Sequence, residues 1–108
     1  MQISPYDQNN VVAFYKGALT KRLEEAGLPY SSIRRIRLLE GPPLKIWTIT
    51  HRRDMRLVQS VGEALADTQM RFADMSLMPY GELLNPAYER DRKIIKEIPK
   101  EAATISLV

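Results

Sequence analysis

The sequence predicts an α/β (or α+β) protein: a small mixed sheet with helices packed on it. Three observations carry this. A helical stripe over residues 11–26 ends in glycine. Two β-rich runs, 33–39 and 44–50, flank a proline turn. A second helical pattern then separates 44–50 from another apolar run, and a helical crossover of that kind makes the strands it joins parallel.

The first helix is read over 11–26. Asn9 and Asn10 offer capping side chains, and Val11/Val12, Tyr15, Leu19, Leu23 and Ala26 recur every three or four residues. Gly27 supplies a left-handed stop, Leu28 folds back on the last turn, and Pro29 forbids continuation. In 33–39, Ile36 and Leu38 fall on one side and Arg35 and Arg37 on the other, while 44–50 is rich in Ile, Trp and Thr. Glu40-Gly41-Pro42-Pro43 is a short connection, so these strands pair antiparallel. Thr50 is read as the cap of a second helix, with Leu57/Val58, Val61 and Ala64/Leu65 as its core stripe and an end near Asp67-Thr68. The run 70–78 is too continuously apolar for a helical stripe and is read as a strand broken by Pro79-Tyr80-Gly81. Asn85-Pro86 opens a third helix that Pro99 ends, and 104–108 is a final strand.

The chain has 108 residues, enough for one domain over 1–108 with a core that needs no disulfide or metal staple. No linker, repeat or low-complexity stretch divides it. With no Cys and a single His, thiol nucleophiles, cysteine metal sites and a multi-histidine centre within one chain are excluded, and no cofactor or metal is expected. The net charge of +3 hides a gradient: residues 1–57 carry +5 and residues 58–108 carry −2. Residues 1–10 are polar and no apolar run approaches the roughly 18 residues of a membrane helix, so a cytoplasmic protein without membrane contact is expected.

Chemistry is sparse. His51, beside two arginines, reads as a solvated residue, and Trp47 as core or covered sheet surface. No Ser/His/Asp set assembles. The arginines are the main candidates. Arg34, Arg35 and Arg37 lie on the first strand, and Arg52, Arg53 and Arg56 precede or open the second helix. Guanidinium forks beside free helix amides bind phosphate, so Arg35, Arg37, Arg52, Arg53 and Arg56 form a candidate phosphate or nucleic-acid site. The competing reading is a solvated sheet face. Asp74, alone in its apolar run, reads either as a structural residue or as a remnant carboxylate.

Several segments together resemble a family. They are Leu38-Leu39-Glu40-Gly41 at the turn, Leu44-Lys45-Ile46-Trp47-Thr48-Ile49-Thr50 as the next strand, and Arg53-Asp54-Met55-Arg56-Leu57-Val58 opening the helix. Phe72-Ala73-Asp74-Met75-Ser76-Leu77-Met78 and the tail Ile94-Ile95-Lys96-Glu97-Ile98 complete the set. From Lys16 onward the chain is similar to the minimal nucleotidyltransferases of the DNA polymerase beta superfamily. In that family a Gly-Ser turn cradles the phosphates and an Asp-x-Asp pair with a third Asp holds magnesium. Here the pair falls on Pro43 and Lys45, the turn becomes Glu40-Gly41, and only Asp74 matches the third carboxylate. The resemblance therefore implies a nucleotidyltransferase-like core that has lost catalysis, and the reading leans against an enzyme.

Small members of that superfamily often pair with a helical partner in bacterial toxin–antitoxin modules. The resemblance thus implies a regulatory, antitoxin-like protein whose partner is itself in a dimer or a helical protein. The alternative is a ferredoxin-like sandwich, if 1–5 forms a strand, acting as an oligomeric or nucleic-acid-binding module through the arginines.

Overall fold

The computed structural model describes residues 5–40, 44–51, 54–73 and 79–107. Its elements are α1 (Pro5–Glu25), a single 3-10 turn (Tyr30–Ser32), β1 (Ile33–Leu39), β2 (Lys45–Thr50), α2 (Met55–Arg71), β3 (Tyr80–Leu84), α3 (Glu89–Glu97) and β4 (Ala103–Ile105). The architecture is mixed α+β: three helices on one four-stranded mixed sheet of order β3-β2-β1-β4. β1 runs antiparallel to both β2 and β4, and β2 runs parallel to β3.

The α1 stripe forms as its spacing dictates, with Val11, Tyr15, Leu19 and Leu23 fully buried. The helix begins six residues earlier than expected. It runs through Asn9 and Asn10 and starts at Pro5, a position where the missing amide removes only an orphan donor. It ends in the expected way: Leu28 N donates to Leu23 O (2.9 Å) and Gly27 N to Glu24 O (3.0 Å), with Gly27 at φ +70°.

The β1–β2 register pairs Arg37 with Trp47 and Leu38 with Ile46, and it shifts between Ile33 and Arg35. That shift explains the imperfect alternation of β1, since it leaves both Arg34 and Arg35 exposed between the buried Ile33 and Ile36.

Three boundaries differ from expectation. Asp54, not Thr50, caps α2: its carboxylate accepts the Arg56 amide (2.9 Å), while Thr50 remains in β2 and its hydroxyl donates to Leu84 O (3.4 Å). The helix also continues past 67–68 to Arg71, so Met70 and Arg71 are helical, and Phe72 and Ala73 turn. The expected strand over 70–78 is thus replaced in its first four residues, and 74–78 lie outside the described residues. The strand is Tyr80–Leu84, across the segment read as a break. Gly81 is not a turn residue: a Cβ there would collide with Leu65 of α2, so the glycine lets helix and strand approach closely.

The third helix starts at Glu89, not at 86, because Asn85 Oδ1 accepts the Ala87 amide (2.9 Å) and holds 85–88 in a turn. β4 is shorter than expected, and Ser106 and Leu107 extend beyond the ladder.

The sheet carries a core on each face. On one, α1 and α2 pack over Ile36, Leu38, Ile46 and Leu44. On the other, Ile98, Ala102 and the α3 residues Ile94 and Ile95 cover Trp47, Ile49 and Leu84. Leu39 and Ile49 belong to the second core and Ile105 to the first. In a ferredoxin-like sandwich another strand separates the strands joined by a crossover helix. Here β2 and β3 are hydrogen-bonded neighbours.

Candidate interaction site

Parallel β2 and β3 end side by side at Thr50 and Leu84, and α2 begins beside them. In sheets with parallel strands this carboxyl edge is where ligands and partners gather. A cavity of about 160 Å³ opens here, lined by Thr50, Asn85 and Asp91 on its polar side and by Leu57, Val58, Leu83 and Tyr88 on its apolar side. Thr50 and Asn85 are buried at 2% and 8% exposure. Asp91, in the first turn of α3, accepts the Asn85 amide (2.9 Å), so the turn before the helix and the helix itself are tied together at the cavity floor.

The rim is apolar and open. Val58 is 46% exposed, Tyr88 48%, and Met55, one turn before Val58 on α2, 79%. Gly62, one turn after Val58, is also exposed and meets nothing among the described residues within 4 Å at its Cβ position, which extends a flat strip along the helix. Singly exposed apolar residues are ordinary. Two on the lining of one cavity, with a third a helical turn away, form a patch of the kind that partners cover.

The expected site residues are placed as follows. Arg35 is exposed on β1, and Arg34 beside it is exposed too. Arg37, half-buried opposite Trp47, donates to Ala102 O (2.9 Å) and Pro99 O (3.4 Å), so its fork holds the α3–β4 connection against the sheet. Arg56 pairs with Asp54 at 3.0 Å and donates to Ala26 O (3.4 Å); the Asp54 hydrogen bond keeps its guanidinium firmly charged. Antiparallel pairing brings the start of β1 and the end of β2 to one end of the sheet. Arg52, Arg53 and Asp74 lie outside the described residues, as does Pro43. Lys45 is exposed at the start of β2, paired with Tyr80. His51 is exposed, as expected of a solvated residue.

Asp54, Asp91, Asp67 and Glu63 are tied into the framework. Asp54 caps α2, Asp91 ties the turn before α3, and Asp67 with Glu63 receives Arg22 across the α1–α2 contact at 2.9 and 3.1 Å. Among the described residues no group of three or more His, Cys, Asp or Glu is placed to hold a metal ion. The acidic residue on the strand after α2 is Glu82, in register with Trp47, and its charge raises the Tyr80 hydroxyl above the ordinary tyrosine value.

Met55 and Tyr88 carried no role in the sequence reading, and Val58, read there into the α2 core stripe, is instead 46% exposed. The signal was present in α2: the buried stripe runs Leu57, Val61, Ala64 and Thr68, and Met55 and Val58 are apolar residues lying off it.

Compared with known protein families, with curated proteins and with solved structures, the chain matches none. No described helix is long and apolar enough to cross a membrane.

Proposed function

We propose that the chain is a catalytically silent, nucleotidyltransferase-like binding or regulatory domain that docks a protein partner at the carboxyl edge of β2 and β3. The exposure of Val58 and Tyr88 on one small cavity, with exposed Met55 one turn before Val58 on α2, carries this reading. A side chain of the partner enters between Thr50 and Asp91, and the apolar rim excludes water around it, the usual anatomy of an interface anchor. The occupied roles of Asp54, Asp91 and Asp67, together with Lys45 where related enzymes need a carboxylate, favour binding over nucleotidyl transfer. In its finer form the partner is a helical protein and the role antitoxin-like, in the cytoplasm of a bacterium.

The test is co-expression with the helical product of a neighbouring reading frame. A stable complex is expected, together with its loss in the double variant Met55→Glu/Val58→Glu, whose sites are exposed and leave the fold intact. A missing complex, or one indifferent to that variant, overturns the reading. Transfer of label from ATP with Mg²⁺ that disappears in Asp74→Asn would overturn catalytic silence.

A second reading, nucleic-acid binding, is favoured by the exposure of adjacent Arg34 and Arg35. It requires an affinity that falls steeply with salt and weakens in Arg52→Ala/Arg53→Ala.

A further inference from the structure

The two outermost strands of the sheet turn backbone groups outward, and the register says which. Tyr80 N donates to Leu44 O (2.8 Å) with Tyr80 level with Lys45. A parallel ladder alternates, so Ile46 and Thr48 turn their backbone groups to β3, while Lys45, Trp47 and Ile49 turn theirs to β1. Their partners Leu39, Arg37 and Arg35 face β2. Ile36 and Leu38 therefore face β4, where they meet Ile105 and Ala103. Thr104, between those two, points its N–H and C=O away from β1 to the open edge. It is exposed, and no described group bonds to either.

At the other edge Gly81 and Leu83 of β3 turn outward by the same count, but the two edges carry different side chains. β3 follows Pro79 and holds Glu82, and pairing β3 with a copy of itself through Gly81 and Leu83 sets Glu82 directly opposite Glu82. Proline and charge are the usual guards of an edge. From Ala103 to Leu107 there is neither. A main-chain donor and acceptor on an exposed, uncharged strand are answered by another extended strand.

We propose that β4 pairs antiparallel with β4 of a second copy of this chain, with Thr104 on the two-fold axis, joining two four-stranded sheets into one. The two Thr104 residues exchange both backbone hydrogen bonds and set their hydroxyls side by side, and half-buried Ile105 lies across from Ala103 of the second copy. Cross-strand pairs of both kinds stabilise a sheet. Charge at the margins fits the same arrangement. Arg34 and Arg35 are exposed at the start of β1 and make no ion pair among the described residues. Continuing the register past the ladder sets Glu101 of the second copy level with Arg34 at two strand spacings, about 10 Å, which the two side chains span; Lys100 of the second copy falls level with Ile33. The pairing is short, so the dimer depends on concentration. It lies at the opposite edge of the sheet from β3 and does not rest on the partner patch.

Sedimentation equilibrium of the full chain up to about 1 mM is expected to show monomer and dimer in exchange, and hydrogen exchange at the Thr104 amide to slow as the dimer forms. Thr104→Pro removes the outward N–H and none that bonds to β1, so it is expected to weaken the dimer more than about tenfold while the dilute protein keeps its melting temperature. Thr104→Lys and Thr104→Glu each set like charges across the two-fold and are expected to weaken it as much, whereas an equimolar mixture of the Thr104→Lys and Thr104→Glu proteins is expected to recover the dimer. A chain that stays monomeric throughout, a dimer indifferent to Thr104→Pro and Thr104→Lys, or charged variants that fail to recover on mixing would each overturn the proposal. So would a monomer whose Thr104 amide is protected only by the helical partner, which would assign the edge to that protein. The Met55→Glu/Val58→Glu variant is expected to dimerise like the parent.

Discussion

Tyr15 shows how one side chain ties the helical layer to the sheet. It is fully buried in the α1 stripe, yet its hydroxyl meets Thr48 Oγ1, itself fully buried on β2, at 2.5 Å. Burial pushes the Tyr15 hydroxyl far above its ordinary pKa, and the Thr48 hydrogen bond opposes this only in part. The unfolded chain releases that proton near the ordinary tyrosine value of about 10, while the folded chain retains it. Stability is therefore undiminished below that pH and falls as pH rises through and beyond it. Tyr15→Phe is expected to lose about 1–3 kcal/mol at neutral pH by orphaning Thr48, and to show a shallower alkaline decline. Urea titrations of both proteins at pH 7 and pH 11 check it; parallel declines would contradict the assignment.

At the scale of elements, the close approach of α2 and β3 depends on Gly81. Replacing it with Ala drives a Cβ into the Leu65 side chain, which must leave its preferred rotamer to make room, and is expected to destabilise the protein by about 0.5–1.5 kcal/mol, measured by thermal unfolding. The same substitution at Gly62 meets open space and is expected to stabilise. The contrast marks where the sequence could be read and where it could not. Local signals were legible: the α1 stripe, the Gly27 stop, the antiparallel pair and the parallel crossover follow from spacing and turn chemistry. Gly81 was misread as punctuation because its role is set by a residue 16 positions earlier, on another element. Thr50 was likewise assigned a cap because its actual acceptor, Leu84 O, comes from a strand far along the chain. The candidate site failed to emerge for the same reason. Val58 and Tyr88 meet only once β2 and β3 lie side by side.

Taken whole, the molecule encloses its sheet between unequal layers. α1 and α2 cover one face with long buried stripes. The other is covered by α3, which has no fully buried residue, and by the segment that follows it. Arg37 reinforces this thinner layer by reaching the carbonyls of Pro99 and Ala102. Arg37→Ala is expected to loosen 98–105 and to lower stability by about 1–3 kcal/mol, because Ala102 O loses its donor. Arg35→Ala, at an exposed position, is expected to remain within about 0.5 kcal/mol of the parent. Equal effects in denaturant titrations would contradict the distinction.

That arrangement equips the protein with its own optical gauge. Trp47 is the only tryptophan, it lies at 7% exposure beneath Ile98 and Ala102, and it belongs to neither helix of the thicker layer. Its fluorescence therefore follows seating of the C-terminal segment separately from helix content, which circular dichroism follows. Lifting of that segment would appear as a red shift in emission while the helical signal persists.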